Sequence, residues 1–151
     1  MSEEIISSGS NDAWTVAESC ANQANADKWQ YQKHITKHLL THYPIDWISE
    51  VTNVFLIRHP ARVITSYHAK DENPELSDIG LGDQWRIYQK AVELGQNPIV
   101  IDSSDILRAP EIMLPRLCEA LDIEFQEQML TWSKGPKSYD GVWASHWYQS
   151  V

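Results

Sequence analysis

Long apolar runs are missing from this 151-residue chain. None approaches the roughly twenty residues that cross a bilayer, and the stretch from Met1 to Asn11 is polar and acidic, without the apolar segment of a signal peptide. The expectation is a soluble, cytoplasmic protein with no membrane role. Cysteine is scarce. Cys20 and Cys118 are far apart and cannot build a disulfide framework or a metal-type pair, so they read as free thiols of a reducing compartment. Positive charge is also in deficit: 12 Lys and Arg stand against 21 Asp and Glu, a net charge of −9. Such a surface repels phosphate backbones and excludes broad nucleic-acid binding, while leaving room for a local pocket for one small anion. The six glycines (Gly9, Gly80, Gly82, Gly95, Gly135, Gly141) do not cluster before a Lys-Ser or Lys-Thr pair, so no glycine-rich phosphate loop occurs. There is no internal repeat and no low-complexity tract.

What is present is an ordinary globular composition, 42% apolar and 22% charged, in a chain long enough for one domain with its own core. A helix is expected from about Asp12 to Gln23, capped by Ser10, Asn11 or Asp12. A short strand over Lys28 to Lys33 and a helix over Ile35 to His42, ending before Pro44, follow. Val54-Phe55-Leu56-Ile57 is continuously apolar, the pattern of a parallel strand covered on both faces. Pro60 suits the first turn of the next helix, with Val63, Ile64 and Tyr67 as its stripe. A long helix is expected from Ser77 or Asp78 to Leu94, ended by Gly95, then a buried strand over Pro98 to Ile101. The last helix would turn Leu114, Leu117, Cys118 and Leu121 inward, with Pro115 kinking it or marking its start. The alternation implies an α/β fold, a parallel sheet with helices on both faces. Residues 1–27 read as a helical lead-in and 132–151 as an irregular closing tail.

In parallel sheets ligands bind outside the carboxyl ends of the strands. That directs attention to Lys33-His34, Arg58-His59 and Asp102-Ser103. Arg58 directly follows four apolar residues, and its planar fork of donors matches a phosphate. Ser66, eight residues on, could donate to the same anion if the helix folds back over the strand end. The bland alternative pairs Arg58 with a nearby carboxylate. His34 sits where a general base would, and Lys33 beside it could neutralise developing charge. His34, His38 and His42 are spaced four apart, but no Cys, Asp or Glu joins them at ligand spacing, so no metal is expected. Near the end, Lys134 and Lys137 flank Gly135, an arrangement able to bring cations and backbone N–H groups onto an anion, or simply a solvated turn.

These residues resemble a known family. The segment Val54 to Tyr67 is similar to the 3′-phosphate-binding segment of sulfotransferases that use 3′-phosphoadenosine 5′-phosphosulfate, in which an Arg at the strand end and a Ser eight residues later hold the 3′-phosphate. Arg58 and Ser66 match both in type and spacing. The stretch Pro110-Glu111, Leu114, Leu117-Cys118, Leu121, Ile123 and Phe125 resembles the family's helix and following turn, with Pro115 departing from it. The family's catalytic His lies some two dozen residues before the Arg, as His34 does, although its Lys-Thr-His reads Gln32-Lys33-His34 here. The end of the chain, with Trp132, Lys134-Gly135-Pro136-Lys137 and Asp140-Gly141-Val142-Trp143, looks like the closing segment of bacterial sulfotransferase-like proteins.

The resemblance covers roughly Gln30 to the end. It implies a P-loop-type α/β fold whose 5′-phosphosulfate loop lies in an amino-terminal part absent here, so an incomplete domain is expected. It implies sulfuryl transfer from 3′-phosphoadenosine 5′-phosphosulfate to a hydroxyl or amine of a small acceptor, with His34 and Lys33 in catalysis and Arg58, Ser66, Lys134, Gly135 and Lys137 on the cosubstrate, inactive in the isolated chain. The implied partners are the acceptor and a missing amino-terminal segment or second chain. Two alternatives stand beside it: a non-catalytic nucleotide- or partner-binding remnant, and a P-loop kinase-like phosphotransferase.

Overall fold

The structure, a computed structural model, describes residues 7, 9–22, 29–68, 72–135, 137 and 140–142. Helix α1 (Ala13–Ala21) begins where Asp12 accepts hydrogen bonds from the Thr15 backbone N–H and hydroxyl, both at 2.7 Å. Those bonds, the hydroxyl's first, hold the Asp12 carboxyl below its ordinary range. Residues 29–33 form no strand, and the expected helix over Ile35 to His42 is only a 3₁₀ turn, Thr36–His38. Tertiary contacts override helix propensity here. The Thr36 hydroxyl donates to the Gly80 carbonyl at 3.0 Å, and Leu39 packs against the core. A second 3₁₀ turn, Asp46–Glu50, buries Ile48.

Strands β1 (Val54–Ile57) and β2 (Ile99–Asp102) pair in parallel, Val54 opposite Ile99 and Ile57 opposite Asp102. The class is α/β, with a two-stranded sheet among the described residues. Burial corrects the sequence expectation. Only Phe55 and Ile101 are buried in the strands, whereas Leu56 is 54% and Val100 48% exposed, and Val54 and Ile57 are exposed too. The physical reason is the side-chain alternation of a strand. Phe55 lies beside Val100 on one face and Ile101 beside Leu56 on the other, so each face has one buried side chain with an exposed neighbour across the pair.

Phe55 packs on helix α4 (Leu81–Glu93), where Phe55, Ile48, Ile87 and Ala91 form the core with Leu39, Trp47, Tyr88 and Leu94 around them. The Phe55 and Tyr88 rings meet edge to face at 5.4 Å. At the amino ends of the strands the Gln96 amide donates to the carbonyls of Ile48, Ser49 and Val51 at 3.0–3.1 Å and accepts from Asn53. That network ties the approach to β1 to the approach to β2 and leaves the carboxyl ends free for a site.

Helix α2 (Pro60–His68) starts at Pro60 as expected. The single helix expected up to Leu94 is instead two: α3 (Leu76–Ile79) and α4, broken at Gly80. Gly80 is buried with φ +64°, and a Cβ there would meet Thr36 Oγ1 at 3.1 Å and Lys37 Cβ at 3.3 Å. Gly80→Ala should therefore destabilise the fold by about 2 kcal/mol, the left-handed backbone penalty plus crowding, read as a lowered urea midpoint. An unchanged midpoint would show that the Thr36 turn yields freely. Gly95 (φ +82°) ends α4, its N–H bonding the Val92 carbonyl at 2.9 Å.

Helix α5 (Ser103–Arg108) follows β2 directly, and α6 (Pro110–Ala120) begins with Pro110 at its first turn. Pro115 neither starts nor ends α6 but lies inside it. It removes one backbone donor, and the Glu111 carbonyl left without it belongs to an exposed residue that water can serve. Among the described residues no helix is long and apolar enough to cross a membrane. Trp143, Trp147 and most of the expected closing tail lie outside the described residues.

Candidate functional site

At the carboxyl end of β1 the chain turns at Arg58-His59-Pro60 into α2. His59 is absorbed by that turn. Its carbonyl accepts from the Arg62 and Val63 N–H groups, and its Nδ1 accepts from the Ala61 N–H at 3.2 Å. The helix then lies beside the strand end, and Arg58, Ala61, Arg62, Thr65 and Ser66 line an open cavity of about 430 Å³. Arg58 and Ser66, eight residues apart in sequence, thus meet at one concavity. Helical spacing explains the rest of the lining: Arg62 and Ser66 are four apart on one face, as are Ala61 and Thr65. The Thr65 hydroxyl is spent on the Ala61 carbonyl at 2.8 Å. Among the described residues the Ser66 hydroxyl and both guanidinium groups have neither a hydrogen bond nor a salt bridge.

Arg62 is the lining residue that the sequence reading passed over. Its position four residues before Ser66 was the available signal. Across the sheet, Asp102 caps α5 by accepting from the Ser104 N–H at 2.7 Å. That backbone bond first, then the Ser104 side chain and the charges of Arg62 and Arg108, lowers the Asp102 carboxyl's pKa. Next to it the Ser103 hydroxyl oxygen is buried without a partner among the described residues.

His34, Lys33, Lys134, Gly135 and Lys137 do not line this cavity. His34 lies against Trp47, ring centroids 5.1 Å apart, with Nε2 3.1 Å from Gln32 Oε1. Gln32 in turn donates to the Cys20 carbonyl of α1 at 2.8 Å. If Nε2 donates to Gln32, Nδ1 carries the lone pair a general base needs. Although the residue as a whole is exposed, the ring face on Trp47 loses water, and that desolvation lowers its pKa below 6.5. The folded ring therefore gives up its proton at lower pH than the unfolded one. Between the two values the unfolded chain holds more protons, so stability falls as pH drops from about 6.5. His34→Gln should flatten that part of the stability profile in urea unfolding series. An unchanged slope would place the titration elsewhere.

Lys33 is exposed. The nearby cation that does reach the site's helix is Lys37, whose Nζ donates to the Tyr67 hydroxyl at 3.1 Å and lies 3.9 Å from Asp78. This contact ties the turn that follows His34 to the end of α2. Sequence reading could not find it, because Tyr67 and Asp78 are remote along the chain. In the closing segment the Lys137 ammonium donates to the Ser133 carbonyl and hydroxyl at 2.6 and 2.8 Å and to the Lys134 carbonyl at 3.2 Å. Gly135 holds φ +88° in that turn, and Pro136 lies outside the described residues. Among the described residues no group of three or more His, Cys, Asp or Glu side chains could hold a metal ion.

A family model described as a sulfotransferase domain matches residues 1–151. The chain is also 36% identical over 149 residues to branched-chain-amino-acid aminotransferase-like protein 1 of Arabidopsis thaliana. It is 33% identical over 149 residues to branched-chain-amino-acid aminotransferase-like protein 2 of the same plant. Each alignment takes in 99% of this chain but only 27% and 26% of those proteins, so the chain spans about a quarter of the length of the curated relatives it matches. No solved structure matches it significantly.

Proposed function

The chain belongs to the sulfotransferase domain family, and from that premise we propose that it carries the 3′-phosphate half of a site for 3′-phosphoadenosine 5′-phosphosulfate on a P-loop-type fold. The observation that carries this reading is the shared cavity of Arg58 and Ser66, whose polar groups are unpaired among the described residues. A guanidinium at a strand end and a hydroxyl on the following helix suit a phosphate oxygen each.

In the full reaction the acceptor's O–H or N–H gives its proton to His34, and the acceptor atom forms a bond to sulfur. The bond from sulfur to the 5′-phosphate oxygen breaks, leaving adenosine 3′,5′-bisphosphate. Arg58 and Ser66 hold the nucleotide through this step, and the lone pair of His34 serves as the base. Lys33, Lys134, Gly135 and Lys137 belong to the reading as secondary contacts, and Lys137 has to leave its Ser133 bonds to take part. The nest of N–H groups that a 5′-phosphosulfate needs does not occur as a glycine-rich loop in the 151 residues, so transfer requires a segment outside them, in cis or as a second chain. The relatives' aminotransferase-like names describe whole proteins of which this chain matches about a quarter, and no transamination is assigned to it.

The same absence supports a second reading, a domain that binds nucleotide without turning it over. Isothermal titration with adenosine 3′,5′-bisphosphate tests the site. Binding weaker than micromolar that disappears in Arg58→Ala supports the proposal. Micromolar or tighter binding indifferent to Arg58 assigns the nucleotide to other residues.

A further inference from the structure

Two arginines, Arg58 and Arg62, line the cavity at the end of β1 where the resemblance calls for one. Arg62 lines it together with Arg58 and Ser66, and helical spacing places Arg62 on the same face of α2 as Ser66. A surface arginine usually finds a carboxylate. Arg62 has Asp102 within electrostatic reach, yet neither a hydrogen bond nor a salt bridge joins them among the described residues, and the Asp102 carboxylate is already accepting from the Ser104 N–H. Two arginines that line one cavity without a hydrogen bond or salt bridge among the described residues put two positive charges within reach of one anion, on a chain of net charge −9. The anion that answers both best carries two charges at one centre. A terminal phosphate monoester does so above its second pKa of about 6. A phosphodiester carries only one.

We infer that Arg62 is a specificity-determining residue of this cavity, and that its charge makes the site select a dianionic phosphate monoester over a singly charged phosphodiester. This rests on the Arg58–Ser66 reading and adds the charge state of the ligand. Arg58, at the strand end, fixes where the phosphate sits. Arg62, one helical turn before Ser66, answers its second negative charge. A nucleotide with a free 3′-phosphate is retained, and one whose 3′-phosphate is esterified a second time is released.

The test is an NMR titration of the full 151-residue chain at a pH of about 7.5, above the second phosphate pKa, with adenosine 3′-monophosphate and with adenosine 3′,5′-cyclic monophosphate. The wild-type chain should prefer the monoester by about tenfold, the ratio one charge-assisted hydrogen bond supplies. Arg62→Gln should bring the two affinities together, and Arg62→Lys, which keeps the charge, should retain most of the preference. Arg58→Gln should weaken both ligands. Arg62 is an exposed helix residue, so a dispersed spectrum is expected for each of its variants. If the wild-type chain prefers the monoester and Arg62→Gln prefers it equally, the role of Arg62 is overturned while the Arg58–Ser66 site stands. If neither nucleotide perturbs the wild-type chain, the cavity is not an anion site and both readings fall.

Discussion

Given 3′-phosphoadenosine 5′-phosphosulfate and a small hydroxyl or amine acceptor, the 151-residue chain alone should transfer no measurable sulfate. The cause is a division of labour within the site. Arg58 and Ser66 line one cavity and supply donors for one phosphate group, while the group in flight needs its own donors. Removing one preorganised donor from a transferring group costs about 3 kcal/mol. Losing the alignment of donor and acceptor removes up to about 7–11 kcal/mol more. The first loss alone slows transfer by about a hundredfold, and the two together place turnover below detection in a labelled-sulfate assay. Supplying a segment with a glycine-rich phosphate loop, fused or added as a second chain, should restore transfer, and His34→Gln should abolish it again. Turnover by the chain alone would mean that its own residues complete the site.

The second large effect is expected at Arg58. Arg58→Ala in a chain competent to bind adenosine 3′,5′-bisphosphate should weaken binding by about a hundredfold, roughly 3 kcal/mol, since a bidentate contact contributes two charge-assisted hydrogen bonds. Ser66→Ala removes one neutral donor and should cost nearer 1 kcal/mol. The stability of Arg58→Ala should hardly change, because Arg58 is exposed and makes no hydrogen bond or salt bridge among the described residues. A variant that loses binding and stability together would instead make Arg58 a structural residue. Equal effects at Arg58 and Ser66 would contradict the charge-based account.

The parts legible in the sequence were those set by local pattern. Val54 to Ile57 and Ile99 to Ile101 are apolar runs bounded by turn residues, and they pair as neighbouring parallel strands. Pro60 at a helix start, Asp12 as a cap and Gly95 as a stop follow from backbone chemistry alone. The misses share one physical cause, contacts between residues far apart in the chain. Ile35 to His42 carries a helical pattern, but the bond from Thr36 to Gly80 and the packing of Leu39 hold it as a 3₁₀ turn. Gly80 breaks the expected long helix with a left-handed backbone, at a place where Thr36 and Lys37 leave little room for a Cβ. The strands look fully buried in sequence, yet Leu56 and Val100 are exposed, because coverage is decided by neighbouring elements and not by the strand itself. At the site, the Arg58–Ser66 spacing points to a cavity they both line, and Arg62, four residues before Ser66 on the same helix, shares it, whereas the contact of Lys37 with Tyr67 depends on which elements the fold brings together.

The most direct measurement of the central claim is a backbone and arginine side-chain NMR titration of the chain with adenosine 3′,5′-bisphosphate. The account predicts perturbations concentrated on Arg58 to Ser66, including the guanidinium signals of Arg58 and Arg62, and their loss in Arg58→Ala. Perturbations centred elsewhere, for example on the turn around Lys134 and Lys137, with the Arg58 signals unmoved, would contradict it.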